Sequence, residues 1–201
     1  MSDKQNPLGA LSLLAGWTVV SSIGWAAGLA VGMWLTRVAT KLPWLNEDRF
    51  FVYATLISLG LTTGAAQWIV MRRYLPRPVR WVTATLIGYL LCLIMIVGGN
   101  LARLSAEGVW DDVLLLVLLG TAIGTSQWWV LRQHYRKAGG WVLATAAGFL
   151  CFLWTIIHPS HSLDELVIRG AIIGALAAAA PGATFVWLVR QPLATVSQRT
   201  V

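Results

Sequence analysis

The sequence predicts an all-α integral membrane bundle of six transmembrane helices, on three observations. Hydrophobic residues make up 57% of the chain and charged residues 11%, against roughly 45–50% and about 25% in soluble domains. The apolar residues fall in blocks of about 20 between short charged segments, the length that a hydrocarbon layer about 30 Å thick demands of a helix. Finally, GAAQWIVMRRYLPRPVRWVTATLIGY at 64–89 returns as GTSQWWVLRQHYRKAGGWVLATAAGF at 124–149, which makes the unit of construction a helical hairpin.

The first apolar block runs from Leu8 to Leu35 and carries Trp17, Trp25 and Trp34. It far exceeds the roughly 7–15 residues of a signal-peptide core, so it reads as a retained helix. The expected spans are about 10–35, 50–71, 81–100, 112–131, 140–157 and 166–189. The second ends in QWIVM before Arg72, and a short basic turn leads to a third that begins with Trp81. Spans four and five restate that pair with Gln127, Arg132 and Trp141. The sixth follows Asp164 and Glu165, which suit the positive end of a helix dipole, and contains Pro181, which predicts a kink. Residues 1–201 thus form one transmembrane domain with hairpin repeats at 52–100 and 112–157.

An even number of spans puts both termini on one side. Lys4, Arg72, Arg73, Arg77, Arg80, Arg132, Arg136, Lys137, Arg190 and Arg199 share that side with a single acid, Asp3. The other side carries five basic residues and the remaining seven acidic ones. Basic residues near span ends resist translocation, so both termini are expected in the cytoplasm, with the chain in a bacterial inner membrane or a thylakoid. The net charge of +7 sits at helix ends rather than on a soluble domain. That distribution argues against nucleic acid and for anionic lipid headgroups.

A shift of sixty residues aligns eleven identities, from Gly60, Gly64 and Gln67 through Trp81 and Thr85 to Gly88. Two-span units enter the membrane in the same direction, so the repeat is parallel and its pseudo-symmetry axis runs along the membrane normal. GWTVVSSIGW at 16–25 matches the second half of a unit, and residues 182–190 match the first half weakly, with Phe185 in the place of the glutamine. The expectation is a pseudo-threefold arrangement in which the first and last spans complete a permuted third unit. Gly60, Gly64 and Gln67 share one helix face, as do Gly120, Gly124 and Gln127, and such small-residue faces let helices approach closely in lipid. Trp68, Trp81, Trp128 and Trp141 are expected as interface anchors, with Arg72, Arg132 and Arg190 closing their helices beside phosphates.

Packing and anchoring leave Gln67 and Gln127 over. Each amide lies about one turn inside the membrane and needs a partner: either another helix, or a ligand at a polar site near the cytoplasmic mouth. HPSHSLDE at 158–165 gathers His158, His161, Asp164 and Glu165. Pro159 interrupts helical presentation and the spacing is that of no zinc motif, so a solvated loop is expected there rather than a metal. No cofactor is implied, a pigment held by His158 being the remaining reading. Asp111 and Asp112 open span four and suit its dipole. Cys92 and Cys151 lie in apolar stretches without metal or redox spacing and read as packing residues. No GxSxG, HExxH or Walker pattern occurs, and no charged residue is expected at mid-membrane, which counts against catalysis and ion-coupled transport.

The two full hairpins resemble a loose group of uncharacterised bacterial, cyanobacterial-type polytopic membrane proteins that repeat QWxVLR followed by WVxxxxxG. Met71 for Leu, and the missing Gln and displaced Trp187 of the last span, depart from that pattern. The resemblance implies architecture and no activity. The expected role is a non-enzymatic structural or accessory subunit of a membrane assembly, with a membrane-protein partner or a second copy of the chain. The alternative is a small-solute or lipid transporter or substrate-binding membrane module.

Overall fold

The computed structural model describes residues 7–39, 41, 47–97, 109–158 and 162–191. The helices are α1 (Pro7–Ala39), α2 (Glu47–Met71), α3 (Val79–Val97), α4 (Val109–Leu131), α5 (Gly140–Phe149), α6 (Leu153–Ile157) and α7 (Leu163–Val189). All except α5 and α6 are continuous, long and apolar enough to cross a membrane. By helix length and composition this is a multi-pass membrane protein. Helix α1 has 33 residues, about 50 Å at 1.5 Å per residue, and so extends beyond a hydrocarbon layer about 30 Å thick.

The expected fifth span is not one helix. A 3-10 turn, Leu150–Phe152, joins α5 to α6. Residues three apart line up in 3-10 geometry, and here that brings Phe149 and Phe152 to the same ring: Trp25 lies 6.1 Å from the first and 4.7 Å from the second. Through this turn both aromatic side chains stay on the face of the helix that meets α1.

Each segment packs on two neighbours, α1 on α2, α2 on α3, α3 on α4, α4 on α5, α5 on α7, and α7 back on α1. Small residues set these approaches. A Cβ on Gly24 would stand 2.7 Å from Thr63 Cα, and one on Gly88 2.7 Å from Ile123 Cα. On α7, Gly174 receives the ring of Trp25 and Gly182 that of Trp17, while Gly170 meets Leu29, so α1 and α7 run antiparallel. Hydroxyls add polar ties: Thr62 Oγ1 donates to the Gly24 carbonyl at 2.8 Å and Ser22 Oγ to that of Ala171 at 2.8 Å. Pro181 sits inside α7, where it has no N–H for the Ala177 carbonyl. That carbonyl faces Gly148 of α5 at a distance that leaves no room for a Cβ, so the backbone of α5 occupies the side of α7 that the proline leaves unbonded.

Candidate functional site

The side chains that the sequence singles out converge on the bundle axis. Trp17 of α1, Trp81 of α3 and Trp141 of α5 meet there with ring centroids 6.0, 5.6 and 5.4 Å apart and interplanar angles of 75°, 84° and 81°. Such edge-to-face contacts are the preferred geometry of aromatic quadrupoles. The rings are 1%, 0% and 1% exposed. Trp81 and Trp141 were expected as interface anchors, and they reach neither lipid nor headgroup. Their phase explains this: each lies seven residues before a seam glycine, Gly88 or Gly148, and so points inward with it.

Both glutamines are spent on these indoles. Trp81 Nε1 donates to Gln67 Oε1 at 3.0 Å, and Gln67 Nε2 donates to Ser21 Oγ at 3.1 Å. Sixty residues on, Trp141 Nε1 donates to Gln127 Oε1 at 3.0 Å, and Gln127 Nε2 donates to Thr85 Oγ1 at 3.1 Å. Each amide therefore ties α2–α3 or α4–α5 to the helix that precedes it, α1 or α3. Thr85 and Thr145 in turn donate to the carbonyls of Trp81 and Trp141, both at 2.9 Å. At the third corner Phe185 stands 5.5 Å from Trp17. It has no acceptor to offer, and Trp17 Nε1 is buried without a hydrogen-bond partner.

Two turns further along the axis lies a second aromatic set, in which Trp25 is 6.2 Å from Tyr89 and 6.1 Å from Phe149. Between the two sets Ser21, Thr63, Thr85 and Thr145 border a cavity of about 40 Å³ that also touches Gln67 and Gln127. A water needs roughly 10–15 Å³ of such volume, so the space suits a few waters. Among the described residues no Asp, Glu, Lys, Arg or His lines it. The sequence reading missed Ser21, Trp25 and Tyr89 as partners in this arrangement. The signal was present as a spacing, W-x3-[S/T]-x2-G followed by an aromatic residue, at Trp17, Trp81 and Trp141.

The other expected anchors lie at the helix ends. Arg72 is over the Trp68 ring at 5.4 Å, and Arg132 over Trp128 at 4.8 Å and Trp129 at 3.6 Å. Arg190 is exposed and caps α7. The turns between the hairpin helices fold back on the Trp layer, burying Leu75, Tyr135 and Ala138. Burial pushes the Tyr135 phenol above its usual range, and nearby Tyr74 adds to the effect.

On the far side, His158 is exposed with its ring 4.4 Å from that of Trp154. Its carbonyl accepts from Arg169, which also pairs with Glu165. His161 lies outside the described residues, Asp164 is exposed in the first turn of α7, and no metal-binding cluster occurs among the described residues. Ser162 caps that helix, accepting from the Glu165 N–H at 3.2 Å. Cys92 and Cys151 are unpaired, the first buried and the second half-buried.

Fold and site together define a polytopic helical membrane protein with an aromatic, amide-bonded core. The chain matches no family model, and neither a curated protein nor a solved structure is significantly similar to it.

Proposed function

We propose that the chain is a non-enzymatic structural or accessory subunit of a larger membrane assembly, built as a pseudo-threefold bundle of parallel hairpins. In this reading the third hairpin is α7 with α1, and both termini are cytoplasmic. The W-x3-[S/T]-x2-G spacing on α1, α3 and α5 supports the architecture, as does the antiparallel seating of Trp17 and Trp25 on Gly182 and Gly174. The Lys/Arg asymmetry supports the orientation.

One observation carries the functional reading: the axis is closed at the level of the glutamines, and the larger space beyond it, about 220 Å³ under Trp25, Tyr89 and Phe152, has a wholly apolar lining apart from Tyr89 and Cys92. Three indoles close the axis, both glutamines are bonded to two of them, and about 40 Å³ is left between the aromatic sets. Ligand pockets run to about 300–1,000 Å³. A rigid centre of this kind suits a scaffold whose working surface faces outward. A small-solute or lipid transporter would have to break the Gln67–Trp81 and Gln127–Trp141 bonds to open the same axis.

Purification in mild detergent at native expression level, with mass spectrometry and absorbance of what co-migrates, tests the proposal. Reproducible protein partners are expected. A solitary monomer that moves a solute across proteoliposome membranes, with flux abolished by Gln67→Leu, would replace it with transport.

A further inference from the structure

The seam between α3 and α4 opens into a groove of about 310 Å³. Arg80, Thr83 and Ile87 line one wall at i, i+3 and i+7. Trp129, Val130 and Gln133 line the other at i, i+1 and i+4. The groove runs about 10 Å from the helix ends toward mid-membrane, taking 1.5 Å per residue. Ile87 is 47% and Trp129 56% exposed, so the apolar part opens sideways, where a spanning helix meets lipid.

The mouth has the opposite chemistry. Arg80 Nη1 donates to Gln133 Oε1 at 3.2 Å, and Gln133 Nε2 donates to the Trp129 carbonyl at 3.2 Å. This chain holds the guanidinium across the groove with its other N–H donors turned to no acceptor among the described residues. Arg132, over the Trp129 ring at 3.6 Å, brings a second cation to the same rim. Neither arginine pairs with a carboxylate among the described residues. Asp111, Asp112, Asp164 and Glu165 occupy the opposite ends of α4 and α7, and Glu47 and Asp48 open α2. Among the described residues the positive mouth thus has no counter-ion. The feature is also particular to this seam: Arg80 precedes Trp81, whereas Gly16 precedes Trp17 and Gly140 precedes Trp141.

We propose that this groove binds one anionic phospholipid, its phosphate on Arg80 and Arg132 and one acyl chain between Ile87 and Trp129. Arginine suits the phosphate because its donors form a planar fork. The apolar walls distinguish a lipid from a free phosphate, which would gain nothing from them.

Native mass spectrometry of the full chain in detergent, titrated with phosphatidylglycerol or phosphatidylcholine, tests this. One tightly held phosphatidylglycerol is expected, with phosphatidylcholine at least about tenfold weaker, since two cations contribute. Arg80→Gln should weaken the adduct about fivefold, and Arg73→Gln, at the same membrane surface but off the groove, should leave it unchanged. Ile87→Trp, which fills the groove and keeps both arginines, should also remove it. Thermal melts followed by circular dichroism establish that these exposed-site variants remain folded. Equal binding of the two lipids, or an equal effect of Arg73→Gln and Arg80→Gln, would reduce the interaction to diffuse surface charge. Displacement by inorganic phosphate with Ile87→Trp silent would show an anion site without the lipid.

Discussion

Gln67→Leu removes one amide and with it two hydrogen bonds, leaving the fully buried Trp81 Nε1 without an acceptor and Ser21 Oγ without its donor. An orphaned buried donor costs about 1–3 kcal/mol. Interhelical hydrogen bonds measured in a membrane protein average about 0.6 and reach about 1.7 kcal/mol. A loss of about 1–2 kcal/mol is therefore expected for Gln67→Leu, where the two ranges meet. Trp81→Phe alone orphans the Gln67 Oε1 and trims an indole in contact with Trp17 and Trp141. The double variant orphans neither group, so its loss should fall short of the sum of the single losses by about 1 kcal/mol. Trp17→Phe supplies the contrast, because its N–H has no partner to strand. It should cost about 1 kcal/mol less than Trp81→Phe. Reversible unfolding in mixed micelles, followed by far-ultraviolet circular dichroism so that lost indoles do not distort the signal, gives all four energies. Strict additivity of Gln67→Leu and Trp81→Phe, with Trp17→Phe as costly as Trp81→Phe, would mean the amide bonds do not hold the core.

Glycines should divide by what surrounds them. Gly88→Ala, which would meet the Ile123 backbone, should cost about 1–3 kcal/mol of stability in the same unfolding assay. Gly16→Ala, with nothing within 4 Å, should be neutral or gain up to about 1 kcal/mol from helix propensity. Alkali should act through Tyr135. Its folded pKa is raised by burial, so its contribution is fully present below the unfolded value near 10 and is lost as pH rises from there through the folded value. Thermal melts between pH 8 and 11 should show that loss, and Tyr135→Phe should shrink it.

Five of the six expected spans were legible as long apolar helices because a lipid layer demands length and hydrophobicity, and both are written locally. The facing of the indoles was legible too, but in phase rather than composition. Trp81 sits four and seven residues before Thr85 and Gly88 and shares their face, whereas Trp68, one residue past Gln67, is rotated about 100° off the seam. Reading tryptophan as an interface residue overrode that phase. What Gln67 binds was not legible, because its donor and acceptor partners lie 14 residues ahead and 46 residues behind, joined only once the hairpin and its neighbour are folded. The 3-10 turn at Leu150–Phe152 carries no Pro or Gly to announce it, and Phe152 meets a ring of α1 that is distant in sequence. Phe185 in place of glutamine was visible in the sequence, and its structural consequence is the unpartnered N–H of Trp17.

The proposal of a ring of three hairpins, the last formed by α7 and α1, has a direct test in circular permutation. The two helices lie antiparallel, with Gly170, Gly174 and Gly182 against Leu29, Trp25 and Trp17, which brings the end of α7 beside the start of α1. A chain that begins at Arg77, runs through Val201 into Met1 and ends at Pro76 cuts an exposed turn, keeps the order of membrane crossings and makes the third hairpin continuous. The measurement is its cooperative unfolding in mixed micelles. The account predicts native helicity and a melting temperature within about 2–4 °C of the parent, a change of about 1 kcal/mol or less. Membrane insertion without a cooperative transition would contradict it.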